Sequence, residues 1–406
     1  MDPIKKQSVV LKVLFFLFFV CWGISTPYFG IFYKHILVRP DGTPAIDLIG
    51  LIFFVMPLVS LFANVPAGIL ADKFRMGRHL ITLFCFGAAL FAVLIGLIGE
   101  DFTNHWGMNH KFWVIFLLLF FLNCCIYPIS PMIDSEVLLF LNRHSRREFY
   151  GAYRLWGTYG WSVSTILMGY LLFEFRHDPL IFYGGAAALL LLGIASWSAI
   201  EARPATASIR IPWHHLREDR LFQGFLVFIF LNGLVSNMSY IYTGYFFDDV
   251  MKTPLEIGLV LGTWTIFEIP VMKYSRTLID LFGNRWLIVS GLLLSGIRLI
   301  LFSLFTVETP FAWKVGAALL QGPGFGLMQI GIIDFVDRRA HPEMRATYLS
   351  IMTVARMSLA SALGGILGSW LIKHWGAAFL MRFCGFGSVV LILFFALLVR
   401  RHVRQH

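Results

Sequence analysis

Apolar runs long enough to cross a bilayer follow one another along the chain, and this repetition constrains the fold more than any single motif. The first, VVLKVLFFLFFVCWGISTPYFGIFY at 9–33, exceeds the about 20 residues that one helical crossing takes. Its start, MDPIKKQ, is charged like that of a signal peptide. The apolar run is too long for one, however, and lacks an A-x-A site, so it reads as the first membrane helix. Charged or Gly/Pro punctuation sets off further spans near 46–71, 79–99, 112–141, 149–174 and 179–200. The polar stretch EARPATASIRIPWHHLREDR, 201–220, precedes spans near 221–247, 254–279, 285–306, 310–336, 346–372 and 377–399. Composition agrees: of the 406 residues 58% are hydrophobic and 14% charged, against about 25% charged in soluble proteins. The expectation is an all-α, polytopic membrane protein of twelve transmembrane helices. They would form two pseudo-symmetric six-helix bundles, 1–200 and 221–406, joined by a cytoplasmic linker, 201–220.

The formal charge of +10 does not point to nucleic acid, because the basic residues are scattered between apolar runs and form no block. They follow alternate loops instead. Lys34, Arg39, Lys111, Arg176, Lys252, Lys314 and Lys373 fall on one side, and most of the 33 Lys and Arg fall on the other, with both termini and the linker. The positive-inside rule then makes both termini cytoplasmic, in the cell's inner membrane. The five Cys lie inside apolar segments and read as packing residues, and the 41 Phe read mostly as lipid-facing bulk. With no G-x-x-x-x-G-K loop, H-E-x-x-H pair or Cys/His metal spacing, the sequence supports neither an enzyme nor a cofactor or metal.

The stretch PMIDSEVLLFLNRHSRREFYGAYRLWGTYGW, 131–161, places Asp134, Glu136 and Arg154 in otherwise membrane-like sequence. Each such charge costs roughly 2.5–3.5 kcal/mol on insertion scales and usually faces a partner or a substrate path. If one helix ends near Leu141 and the next rises from Glu148, Glu136 and Arg154 both stand about 8–9 Å from the turn, at one depth. They could form a structural ion pair. The planar guanidinium fork beside a bidentate carboxylate also suits ligand hydroxyls or a substrate carboxylate. Trp161, seven residues past Arg154, shares its helix face and either stacks on a ring or packs. Asp134 points elsewhere, to a polar contact near Pro128 and Pro131 or to a second proton site. Glu268 and Arg298 fall near mid-membrane, where burial and a neighbouring cation pull a carboxyl in opposite directions, as a proton site requires. Tyr28, Asn237, Tyr240 and Gln321 are uncharged candidates for lining a cavity.

The two halves echo each other. GILADKFRMGR (68–78) aligns with SRTLIDLFGNR (275–285), matching Asp72 to Asp280 and Arg78 near Arg285, as parallel six-helix repeats would. GILADKFRMGR resembles the loop signature of the major facilitator superfamily, with Gly68, Asp72, Lys73, Gly77 and Arg78 in role and Arg75 where a Gly is usual. That resemblance implies conformational gating by a charge network. Within the superfamily the chain resembles the branch of proton-coupled oligosaccharide, nucleoside and phenylpropionate symporters. Glu136, Arg154 and Trp161, Glu268 in TIFEIP, Arg298 in SGIRLI, and Arg356 twelve residues before Gly368 carry the likeness. It implies substrate binding by Glu136, Arg154, Trp161 and Glu268, and proton coupling through Glu268, Arg298, Asp134 and Arg356. The tenth span departs from the branch: Gln321 stands where a His is usual, and Gly324 or Phe325 where a proton-carrying Glu is expected. In the seventh, Asn232, Asn237 and Tyr240 replace membrane-embedded Asp residues. The expected function is proton-coupled uptake of a small polar solute by a monomer whose partners are solute, protons and lipid. The rival is a proton-independent facilitator or an exporter of a drug-like or lipid solute.

Overall fold

The structure, a computed structural model, describes residues 3–74, 77–100, 106–144, 149–198, 220–337 and 345–403. Among these it is helical apart from turns and one isolated antiparallel bridge, Val38 to Pro44. Eleven segments are long and apolar enough to cross a membrane, one fewer than the twelve expected. The difference falls on the fifth span. Tyr150–Phe175 has the length, 26 residues, but its glycines, tyrosines, hydroxyls and Arg154 dilute its hydropathy.

Contacts divide the chain into two compact units, Met1–Ala207 with Lys252–Gly262, and Ser208–Met251 with Thr263–His406. The first contains α1 (Pro3–Ser25), a 3-10 turn (Thr26–Tyr28), α2 (Phe29–Ile36), α3 (Ile46–Phe74), α4 (Gly77–Ile98), α5 (Met108–Ile126), α6 (Ile129–Arg143), α7 (Tyr150–Phe175) and α8 (Leu180–Trp197). Pro27 in the 3-10 turn and Pro128 before α6 lack the N–H that would continue a helix, so two of the spans are interrupted there. The loop between α2 and α3 turns at Gly42, with φ of 81°, where Thr43 donates to Asp41 from its backbone N and its hydroxyl. Those donations hold the exposed Asp41 carboxyl below the usual range. Loop ends are tied by His35 Nδ1 to Asp178 at 2.6 Å, His177 Nε2 to Glu100 at 3.2 Å, and the Tyr183 hydroxyl donating to Glu100 at 2.6 Å.

The second unit contains α9 (Arg220–Ile241), α10 (Thr243–Val250), α12 (Glu268–Lys273), α13 (Ser275–Phe302), α14 (Phe311–Ala318), α15 (Gln321–Asp337), α16 (Arg345–Thr353), a π-helical segment (Val354–Leu359), α17 (Ala360–Trp375) and α18 (Ala377–Val403). The remaining helix, α11 (Pro254–Gly262), belongs by sequence to the second half but groups with the first unit, where it packs on α7. Glycines allow the approach: a Cβ on Gly169 would stand 2.7 Å from the Pro254 carbonyl oxygen and 2.9 Å from Gly258 Cα. The span from Pro254 to Lys273 thus changes unit between Gly262 and Thr263, where it narrows to a 3-10 turn, Thr263–Thr265.

Phenylalanines are less lipid-facing than their number suggests. Phe15, Phe112, Phe182, Phe225, Phe228, Phe246, Phe247 and Phe302 are wholly buried, because rings fill the gaps between helices. In the second unit Phe225 stacks on Phe335 at 4.4 Å and Phe222 on Tyr348 at 3.8 Å. Lys314, counted with the basic residues on the side opposite the termini, is 1% exposed, and its Nζ donates to the Val250 carbonyl at 2.7 Å, at the end of α10. Lys314→Met keeps the apolar stem and removes that donor from a buried carbonyl, so it should cost about 1–3 kcal/mol. Thermal melting should show a clear drop, whereas Lys373→Met, on an exposed side chain, should melt as the parent does.

Candidate functional site

In the first unit, the polar residues of α6 and α7 gather against aromatic side chains of α1. Glu136 is 8% exposed on α6. Arg154 lies over the Phe19 ring, Cζ to centroid 3.9 Å, with Phe15 at 5.9 Å. Gly157, one turn on, makes room for it, since a Cβ there would come within 2.8 Å of Arg154 Nη1. Trp161 is half-buried further along the same helix. Asp134 does not stand apart as its position relative to Glu136 implied. The Tyr150 hydroxyl donates to it at 2.7 Å, and the Arg154 charge acts on both groups. Tyr150 escaped the sequence reading, although its place four residues before Arg154, one turn away on the same face, was the available signal. Tyr28, expected to line a cavity, is wholly buried and donates to the Thr165 carbonyl at 2.7 Å, between Gly169 and Gly258.

The second unit holds two further groups. Arg298 on α13 is 6% exposed, with Cζ 5.1 Å from the ring of Trp264 and 5.1 Å from that of Phe302. It forms no ion pair among the described residues, so the pairing with Glu268 that their shared depth allowed is not made. The break after Gly262 carries Trp264 onto the guanidinium, while Glu268 opens α12 beyond the break. Gly322 abuts this break, a Cβ there falling 2.6 Å from Glu268 N and 2.7 Å from the Trp264 carbonyl oxygen. Gln321, beside it, is half-buried at the start of α15. Tyr240 is 36% exposed, its ring 6.4 Å from that of Trp264.

Arg356 sits in the π-helical segment, 8% exposed, and Nη1 donates to Gln329 Oε1 at 2.7 Å. Asn237 is engaged here, its Nδ2 donating to the Arg356 carbonyl at 2.6 Å, which the widened turn leaves available. Gln329 and Trp264 are the second unit's overlooked residues. A lone amide in an apolar run, and a Trp one turn before an intramembrane Glu, could have flagged them.

Of the expected gating residues, Gly68 on α3 is half-buried with open space around it, and the side chains of Asp72, Lys73 and Arg78 lie outside the described residues. In the second copy Asp280 and Arg285 are exposed and have no partner among the described residues. The polar link at that turn is Asn284 Nδ2 to Asp334 Oδ2, 2.9 Å, next to Gly283 with φ of 73°.

Membrane-length helices in two compact units, each with buried ionisable side chains, define a polytopic membrane transporter. The chain belongs to the MFS_1 like family, whose model matches residues 8–383. It is 25% identical to the maltose permease of Geobacillus stearothermophilus over 404 residues, covering 97% of this chain and 95% of the permease. With the nucleoside permease NupG of Escherichia coli (strain K12) it shares 21% over 420 residues, 97% of this chain and 96% of that one. A solved structure of NupG superposes with a TM-score of 0.83 at 17% identity, covering 97% of this chain and 99% of that one.

Proposed function

We propose that this transporter takes up a small polar organic solute, of the sugar, nucleoside or aromatic-acid kind, by proton-coupled symport with alternating access. The observation that carries the reading is a cation on an aromatic face in each unit, Arg154 on Phe19 and Arg298 on Trp264, with Asp134 and Glu136 on the helix before Arg154 and Glu268 four residues after Trp264. The names of the maltose and nucleoside permeases support the solute class. In this reading Glu136, Arg154 and Trp161 of the first half bind the solute, as do Glu268, Tyr240 and Gln321 of the second. Arg356, braced by Gln329, supports the coupling group. The loops at 68–78 and 275–285 bias the alternation through Asp72, Lys73, Arg78, Asp280 and Arg285. The protein works as a monomer in the cytoplasmic membrane, with both termini inside.

Glu268→Gln tests the coupling, because a neutral amide resembles the protonated acid. In vesicles the variant should lose accumulation driven by a pH gradient and keep solute exchange. If it still concentrates solute when the outside is acidified, the proton belongs to Asp134 or Asp334, or coupling is absent. The tenth span favours one second reading, transport without protons, since Gln321 and Phe325 offer no titratable group there. Solute counterflow indifferent to a pH gradient would decide for it.

A further inference from the structure

Three buried donors on two neighbouring residues of the second unit have no acceptor among the described residues. Arg298 Nε and Nη1 and Trp264 Nε1 are shielded from solvent and make no hydrogen bond among the described residues. Arg298 is 94% and Trp264 95% buried, the complements of their exposures of 6% and 5%. The guanidinium carbon lies over the Trp264 ring, 5.1 Å from its centroid, so the unpaired donors of the two residues are close neighbours. The remaining neighbours neutralise nothing: Phe302 closes the other face at 5.1 Å, and Cys384 stands beside the guanidinium.

A desolvated guanidinium without a counter-ion is a costly arrangement unless something supplies the missing charge and acceptors. The donor set selects what that is. A sugar hydroxyl would bring a proton needing an acceptor that the site lacks, and a cation would be repelled. One positive charge matches a single negative one. Tyr240, 36% exposed, has its ring 6.4 Å from that of Trp264.

We propose that Arg298 and Trp264 form a receptor for a monovalent anionic group, either a carboxylate on the transported solute or a free halide held beside it. The site does not depend on proton coupling and leaves the class of solute at Arg154 unaltered. The experiment uses the purified full chain at constant ionic strength, with isethionate as the bulky background anion. Melting temperature is followed against chloride, acetate and benzoate, with no pH gradient and no sugar or nucleoside present, so the outcome is separate from that of the transport assay.

A rise in melting temperature with anion concentration is expected, with Trp264→Phe, which keeps the ring and removes one N–H, needing about tenfold more anion, and Arg298→Gln losing the response. Stabilisation by acetate and benzoate alone identifies the solute's carboxylate, and equal stabilisation by chloride identifies a free anion. Absence of any shift beyond the isethionate background overturns the proposal, as does an unchanged response in Trp264→Phe, a variant mild enough to fold even if Arg298→Gln does not.

Discussion

Arg154→Lys should leave the protein folded and weaken solute binding by roughly 30-fold to several thousand-fold. Lysine keeps the positive charge that acts on Asp134 and Tyr150, so the electrostatic role survives. It loses the plane that lies on Phe19 at 3.9 Å and the fork that can grip two ligand oxygens at once. Truncating one member of a desolvated, charge-assisted contact costs on the order of 2–5 kcal/mol, which is the stated range in affinity. Ligand affinity and melting temperature measured side by side provide the check. Near-normal affinity with a lowered melting temperature would sink the binding role and leave Arg154 as a structural partner of the α6 carboxylates.

The second large effect is expected at Gly169. A side chain there meets the Pro254 carbonyl oxygen at 2.7 Å, the Tyr28 hydroxyl at 2.8 Å and Gly258 Cα at 2.9 Å. Two of the three are backbone and have no rotamer to change. Gly169→Val must therefore push α11 away from α7 or displace Tyr28 from the Thr165 carbonyl. Overpacking of this kind costs typically 1–3 kcal/mol, and the rigid neighbours place it at the upper end. Melting temperature should fall by several degrees, and spin labels at Tyr170 and Leu259 should move apart. Gly151→Val, where nothing lies within 4 Å, is the control and should show neither change. Unchanged label distances in Gly169→Val would mean that the helices are not held by this contact.

Span positions were legible because hydrophobic length is a local property of the chain. Hydropathy alone undervalued α7, since the polar residues that make it interesting are those that lower its mean. Side-chain partners were legible only where helices are regular. Depth counting put Glu268 and Arg298 together by assuming a continuous helix, and the 3-10 turn at Thr263–Thr265 put Trp264 against Arg298 instead. Asn237 looked free as a polar residue in an apolar run, because nothing in its spacing announces a π-helical carbonyl 119 positions away. Tyr28 looked like a cavity residue for the same reason, although a phenol can as well satisfy itself on a backbone oxygen. Asp134 was read as facing away from Glu136 toward a polar contact or a second proton site, and its spacing could not show that the contact is Tyr150, reaching across from the next helix.

The π-helical segment Val354–Leu359 decides where this part of the chain can absorb a change in length. It carries roughly one residue more than α-helical winding would use. Deleting one of its six residues would let the span close into a uniform α-helix, with everything downstream still in phase with everything upstream. Asn237 would then face no spare carbonyl. Gly364 and Gly368 would stay seated on Met238 and Tyr242. A single-codon deletion within the segment thus keeps α17 in phase, whereas the same deletion inside α17 would rotate the residues beyond it by about 100°.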